Sequence, residues 1–125
     1  LQRLYMACDL FVAPSRHESF GLVYPEAMNY AKPVIGCRAG GIPEVVDRGV
    51  TGLLVAPAAP EELAKAIVEL SGSPARVREM GLAARQQVLT RFSYIEMARN
   101  FERAYRTAIR DFEAAGRKGM TWNTE

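Results

Sequence analysis

The sequence predicts an α/β protein, a small parallel sheet followed by a run of helices. Three observations carry this expectation. Three short apolar runs, at residues 10–13, 33–37 and 52–55, have strand length and are bounded by proline or glycine turns. The segments between them have helical character. Beyond Pro60 the pattern is helical throughout.

The elements follow in order. Leu1, Leu4 and Tyr5 share one face at helical spacing, so the chain opens inside or at the end of a helix. Asp9 precedes Leu10-Phe11-Val12-Ala13, and Pro14-Ser15 ends this first strand. A loop, Ser15-Arg16-His17-Glu18-Ser19, leads into a helix that runs through Ala27 and Met28. Pro25 is tolerated only in a first turn, because it lacks an N–H; the helix therefore starts between Phe20 and Tyr24. Lys32-Pro33 marks its exit, since the residue before a proline avoids the helical region. Pro33-Val34-Ile35-Gly36-Cys37 is the second strand. The turn Ala39-Gly40-Gly41 and a short helix, Ile42-Pro43-Glu44-Val45-Val46, follow. Asp47-Arg48-Gly49 turns the chain into the third strand, Gly52-Leu53-Leu54-Val55.

Pro60 opens the next helix, with Glu61 and Glu62 in the first turn, where carboxylates suit the helix dipole. Leu63, Ile67 and Leu70 form its buried stripe, and Gly72 stops it. Ser73-Pro74 begins another helix, with Val77, Met80, Ala84 and Val88 on one face. Ser93 and Glu96 read as a capping box for the last helix. There Ile95, Ala98, Phe101, Tyr105, Ala108 and Phe112 recur at helical spacing and read as core packing. Residues 1–115 are expected to form the domain, and residues 116–125 a disordered tail. Three strands are too few for a doubly wound sheet, which usually has five or six. The expectation is a partial domain whose other strands lie upstream of Leu1, and a start at leucine rather than methionine fits a fragment.

Composition narrows the function classes. The chain has 125 residues and is 49% hydrophobic, enough for a packed core. A formal net charge of +2 argues for neither a nucleic-acid partner nor a membrane one. Arginines crowd the C-terminal half, but Glu79, Glu96, Glu102 and Glu113 dilute them into a solvated helix face. Cys8, Cys37 and the lone His17 give neither a disulfide framework nor a zinc site. His17 reads as a residue that orients the loop or faces solvent.

The informative stretch is residues 14–28, at the C-terminal end of a parallel strand, where open α/β sheets bind ligands. Gly21 is a small turn residue at the start of a helix. Free N–H groups of Phe20, Gly21, Leu22 and Val23 would point out of that N-terminus, a ready place for phosphate. Glu18 and Glu26 flank it. Carboxylates beside a phosphate make sense if they accept hydrogen bonds from sugar or ribose hydroxyls. Taken singly, Glu18 reads first as a surface loop residue and Glu26 as a first-turn dipole partner, and two glutamates at this spacing also occur often by chance.

Several motifs in one order go further. Pro14-Ser15, Glu18-Ser19-Phe20-Gly21-Leu22, Glu26-Ala27-Met28, Pro33-Val34-Ile35 and Gly40-Gly41-Ile42-Pro43-Glu44-Val45-Val46 together resemble the retaining glycosyltransferases of family four, with their E-x7-E signature. The resemblance continues through Gly52-Leu53-Leu54-Val55 and Pro60 and ends near Arg91-Phe92-Ser93. It implies a partial Rossmann-like parallel sheet, the C-terminal half of a GT-B donor domain, with C-terminal helices.

The resemblance also implies roles. Glu18 would accept hydrogen bonds from the donor sugar and is the expected catalytic residue. Ser19 lies beside it in the donor-sugar and diphosphate site, and the amides of Phe20, Gly21 and Leu22 would hold the diphosphate. Glu26 would bind the ribose. Gly40 and Gly41 would form a turn near the cleft, structural or in contact with ligand. The donor would be a nucleoside diphosphate sugar, used without cofactor or metal, since Asp9, Asp47 and Asp111 form no Asp-x-Asp pair.

Two positions depart from the family pattern. Ala31 stands where glycine is usual, which should cost little in a helix and more at positive φ. Ser19 replaces the commoner glycine. The family's acceptor-binding N-terminal domain, and an upstream arginine and lysine, have no counterpart here; the family's terminal helix crosses back onto that domain, so without it part of the Phe101, Tyr105 and Phe112 stripe would be exposed. The expected activity is therefore sugar transfer to a hydroxyl of an unidentified acceptor, by a chain inactive in isolation. A cytoplasmic location is expected, with peripheral association at the inner membrane face left open. The rival readings are a donor-binding subunit completed by a partner chain, and a non-catalytic nucleotide-binding relic.

Overall fold

The computed structural model describes residues 1–115. The expected tail, 116–125, lies outside them. The described chain forms two units, Leu1–Phe92 and the helical segment beginning at Ser93.

The first unit runs α1 (Gln2–Ala7), β1 (Phe11–Ala13), α2 (Val23–Asn29), β2 (Val34–Cys37), α3 (Ile42–Val45), β3 (Gly52–Val55), α4 (Pro60–Ser71) and α5 (Pro74–Arg91). The three strands form one parallel sheet in the order β1-β2-β3. Phe11 pairs with Val34, and Val34 in turn with Gly52. This is the α/β architecture the apolar runs predict, with strand ends shifted by one residue at most. Pro33 is excluded from β2, yet its carbonyl still accepts from the Phe11 amide at 2.9 Å.

Alternation along the strands divides the core into two layers, as a sheet buried on both faces requires. On one face Val34 and Leu54 pack with Tyr5, Tyr24, Met28, Ile42, Val45 and Ala84, from α1, α2, α3 and α5. On the other, Ile35, Cys37 and Val55 pack with Ala66 and Leu70 of α4 and Met80 of α5. The stripes read from α4 and α5 thus cover the sheet, although Leu63, Ile67, Val77 and Val88 are only half-buried.

The outer edge of β3 is covered by side chains. Arg38 Nη1 donates to the Leu54 carbonyl at 2.9 Å. Glu62 does more than sit in the first turn of α4: its Oε2 accepts from the Ala56 amide at 2.8 Å and lies 3.5 Å from Arg38 Nη2. The Ala56 hydrogen bond, with help from Arg38, holds the Glu62 carboxyl below its ordinary pKa against a smaller opposing effect of desolvation.

Ala31 follows the last turn of α2 with φ of 55°. The departure from glycine therefore falls on a backbone that favours glycine, and the costlier of the two expectations holds.

The second unit contains α6 (Tyr94–Ala114). Ser93 Oγ accepts from the Glu96 amide at 3.2 Å, which is half of the expected capping box. The Glu96 carboxylate faces Arg99 and Arg103 instead of returning to the cap. Of the two expectations for its aromatic stripe, core packing is corrected and exposure holds: no residue of α6 is buried, and Phe101, Tyr105 and Phe112 are each more than half exposed. Helical spacing identified the stripe, but spacing cannot say whether the chain supplies a surface to cover it. Among the described residues no helix is long and apolar enough to cross a membrane.

Candidate functional site

The nine residues between β1 and α2 leave the sheet at the carboxyl end of an edge strand and return as a helix. Their path is fixed from three directions. Underneath, Tyr24 is fully buried, and its hydroxyl donates to the Ala13 carbonyl at 2.5 Å, tying the first turn of α2 to the end of β1. At the return, Gly21 has φ of 79°, and a Cβ there would lie 2.6 Å from the Tyr24 ring and 3.0 Å from Glu18 Cγ. Only glycine lets the loop fold this tightly over Tyr24 with Glu18 alongside.

The third restraint comes from the turn after β2. The Gly41 amide donates to the Glu18 carbonyl at 2.9 Å. A Cβ on Gly40 would lie 2.0 Å from the Glu18 oxygen, and one on Gly41 2.2 Å from the Ser19 oxygen. The Gly-Gly turn is therefore the surface against which the Glu18-Ser19 backbone rests. Its structural role is visible here, whether or not it also meets a ligand.

Glu18 is half-buried and Glu26 exposed. Among the described residues, the amides of Phe20, Gly21, Leu22 and Val23 donate no hydrogen bond. The helix that follows is seven residues long, so the local N–H groups, more than an extended macrodipole, give this end its positive character. Ser19 and Phe20 are exposed at the crest of the loop, as is His17. Phe20 leans its ring on Phe92, with centroids 5.8 Å apart and planes at 82°.

Glu26 has a partner that sequence reading missed. The Tyr5 hydroxyl donates to Glu26 Oε2 at 3.0 Å. Tyr5 is buried and stacks on Tyr30 at 5.6 Å and 19°, so its hydroxyl is a fixed donor. Burial first, and then the Glu26 hydrogen bond and charge, push the Tyr5 phenol above its ordinary pKa and keep it a donor. One carboxylate oxygen is thus held, and the other can accept from a ligand. Tyr5 is recognisable in the sequence only as a face residue of the opening helix. Nothing there signals a contact 21 residues away.

The arrangement couples a turn of free amides to two carboxylates, at the carboxyl end of a parallel sheet. Such a site suits a ligand with an anionic centre between hydroxyl-bearing groups. Sequence comparison then places the chain. The family model described as glycosyl transferases group 1 matches residues 1–73, and the chain belongs to that family.

Similar proteins agree. The chain is 40% identical over 110 residues to the D-inositol 3-phosphate glycosyltransferase of Segniliparus rotundus, covering 88% of this chain and 24% of that protein. It is 38% identical over 112 residues to the alpha-maltose-1-phosphate synthase of Mycolicibacterium smegmatis, covering 85% of this chain and 29% of that one. The chain therefore spans about a quarter of these relatives' length. Among solved structures, sucrose-phosphate synthase from Thermosynechococcus elongatus superposes with a TM-score of 0.78 at 36% identity, over 87% of this chain and 27% of that one. HepE from Anabaena, solved in complex with UDP, gives 0.78 at 31% identity, over 84% and 29%.

Proposed function

We propose that this chain is part of the nucleotide-sugar-binding domain of a retaining glycosyltransferase, which transfers a sugar from a nucleoside diphosphate sugar to an acceptor hydroxyl. The observation that carries the reading is the clamped loop: the Gly40-Gly41 turn holds the Glu18-Ser19 backbone, and Gly21 turns the chain so that neighbouring amides stay unpaired. Membership in the glycosyl transferase family supports it. So does the likeness to HepE, a protein solved with UDP and with UDP-glucose.

In this reading the barrier is departure of a charged diphosphate from an oxocarbenium-like centre. The amides of Phe20, Gly21 and Leu22 stabilise the charge that develops on the leaving group, with no reorganisation at the moment of reaction. Glu18 and Ser19 lie beside the sugar. Glu18 accepts from its hydroxyls and positions it, without attacking it. Glu26, with one oxygen held by Tyr5, accepts from the ribose through the other. The signature is the E-x7-E pair Glu18 and Glu26, the reaction is metal-independent, and the donor is a substrate, with no cofactor required. The acceptor side belongs to a separate domain or partner chain, so the isolated chain binds donor without turning it over.

Calorimetry with UDP, GDP and ADP tests this, with Glu26→Gln as the control. The expected result is binding of one nucleotide that weakens about tenfold in the control, near the value of a hydrogen bond to a charged group. Glu18→Gln should weaken UDP-glucose relative to UDP. A folded sample that binds none of the three overturns donor binding by this chain.

A further inference from the structure

The loop proposed to hold the diphosphate has one support outside the motifs already described. Phe20 is 40% exposed, and its ring meets Phe92 edge to face, with centroids 5.8 Å apart. The other side of the same residue faces the Gly-Gly turn, where a Cβ on Gly41 would lie 3.2 Å from the Phe20 Cα. Phe20 is thus gripped between a turn that admits no side chain and the ring of Phe92.

Phe92 is itself held in place. It is the C-cap of α5, and its amide donates to the Val88 carbonyl at 3.0 Å. Its half-buried ring packs with Val88 against the core layer that contains Tyr24. The Arg91 guanidinium lies 5.4 Å from the ring centroid and 3.7 Å from the Asp47 carboxylate. One turn earlier, Gln87 Nε2 donates to the Val45 carbonyl at 3.1 Å, fixing the end of α5 to α3. A ring with this much support can order an exposed neighbour, whereas Phe20 alone on a loop crest has little to hold it.

We propose that Phe92 is a positioning residue: through the Phe20 ring it holds the amides of Phe20, Gly21 and Leu22 in the arrangement that receives a diphosphate. The ligand chemistry rests on the function proposed above; the ordering of the loop does not. Phe92 touches no ligand. Its effect is to remove loop disorder before binding, so that binding need not.

The test uses the whole chain with Phe92→Leu, which keeps apolar volume against Val88 but loses the ring edge, and Phe92→Tyr, which keeps the ring. Hydrogen exchange of the loop is read at Tyr24 and Gly41, whose amides donate to the Gly21 and Glu18 carbonyls, and, as an internal reference, at Ile35 and Gly36 of β2. Phe92→Leu should speed exchange in the loop about 2- to 12-fold, the worth of one aromatic pair, and leave β2 unchanged. Phe92→Tyr should restore wild-type exchange. Affinity for UDP should fall by a similar factor in Phe92→Leu alone. Loop exchange that stays at the wild-type rate in Phe92→Leu overturns the proposal, and so does a rise shared equally by loop and β2, which would mark Phe92 as general core packing. If wild-type protein binds no UDP, the donor-site reading fails, and hydrogen exchange still decides the role of Phe92.

Discussion

Replacing Gly40 by alanine tests the clamp on the Glu18 loop, and Gly49 provides the control. Both glycines have positive φ, 53° and 81°. A Cβ at Gly49 would meet nothing within 4 Å, while one at Gly40 would lie 2.0 Å from the Glu18 carbonyl oxygen. The left-handed conformation costs an L-residue about 1–2 kcal/mol. Alanine recovers about 0.4–1 kcal/mol by restricting the unfolded chain. Gly49→Ala should therefore destabilise by about 1 kcal/mol. Gly40→Ala carries the same backbone cost and must also move the Glu18 backbone by about an ångström. That shift breaks the Gly41 amide bond to Glu18, worth about 1 kcal/mol, and adds overpacking of about 1 kcal/mol or more. The difference between the two variants should be about 2 kcal/mol. Urea unfolding at constant m-value measures it, and UDP affinity should drop in Gly40→Ala only. Equal destabilisation of the two variants would refute the idea that the Gly-Gly turn is a seat for the loop.

Three further predictions concern other sites. Ala31→Gly should raise the unfolding midpoint in urea, with a net gain of about 1 kcal/mol once left-handed strain is set against unfolded-chain entropy; a lower midpoint would contradict the strain assigned to its φ of 55°. Tyr5→Phe should weaken UDP binding about 3- to 10-fold, and combining it with Glu26→Gln should add little, so additive losses in a double-mutant cycle would separate the two groups. Glu62, whose folded pKa is lowered, contributes stability that is present above the unfolded carboxylate value and is lost as pH falls through the folded value. Glu62→Gln should therefore destabilise the chain near neutrality and flatten its loss of stability below about pH 4.5, and acid titrations of the two proteins with parallel slopes would show that the carboxylate is idle.

The parts legible from the sequence are those encoded locally. The strands lie within a residue of their apolar runs, because Pro14, Pro33 and Gly52 mark one end of each. Pro25 bounded the start of α2 correctly, since its missing N–H leaves few choices. Glu18 and Glu26 stand out by spacing and by the motifs around them. The features that escaped depend on contacts between distant segments. The bond from Tyr5 to Glu26 spans 21 residues, and the seat formed by Gly40 and Gly41 depends on how a second loop approaches the first. The φ of Ala31 could be posed as a question but not answered, because alanine is the best helix former and its presence argues the other way. The stripe of α6 shows the reverse error. Its periodicity was plain, but periodicity names a face and says nothing of what covers it.

Arg38 makes the two edges of the sheet unlike. On the β3 side its guanidinium occupies the Leu54 carbonyl, and Glu62 occupies the Ala56 amide, so an arriving strand would first have to displace charge-assisted bonds. On the β1 side no side chain among the described residues hydrogen-bonds to Val12. The β3 side is therefore the better guarded edge against an added strand, and the β1 side the more open one.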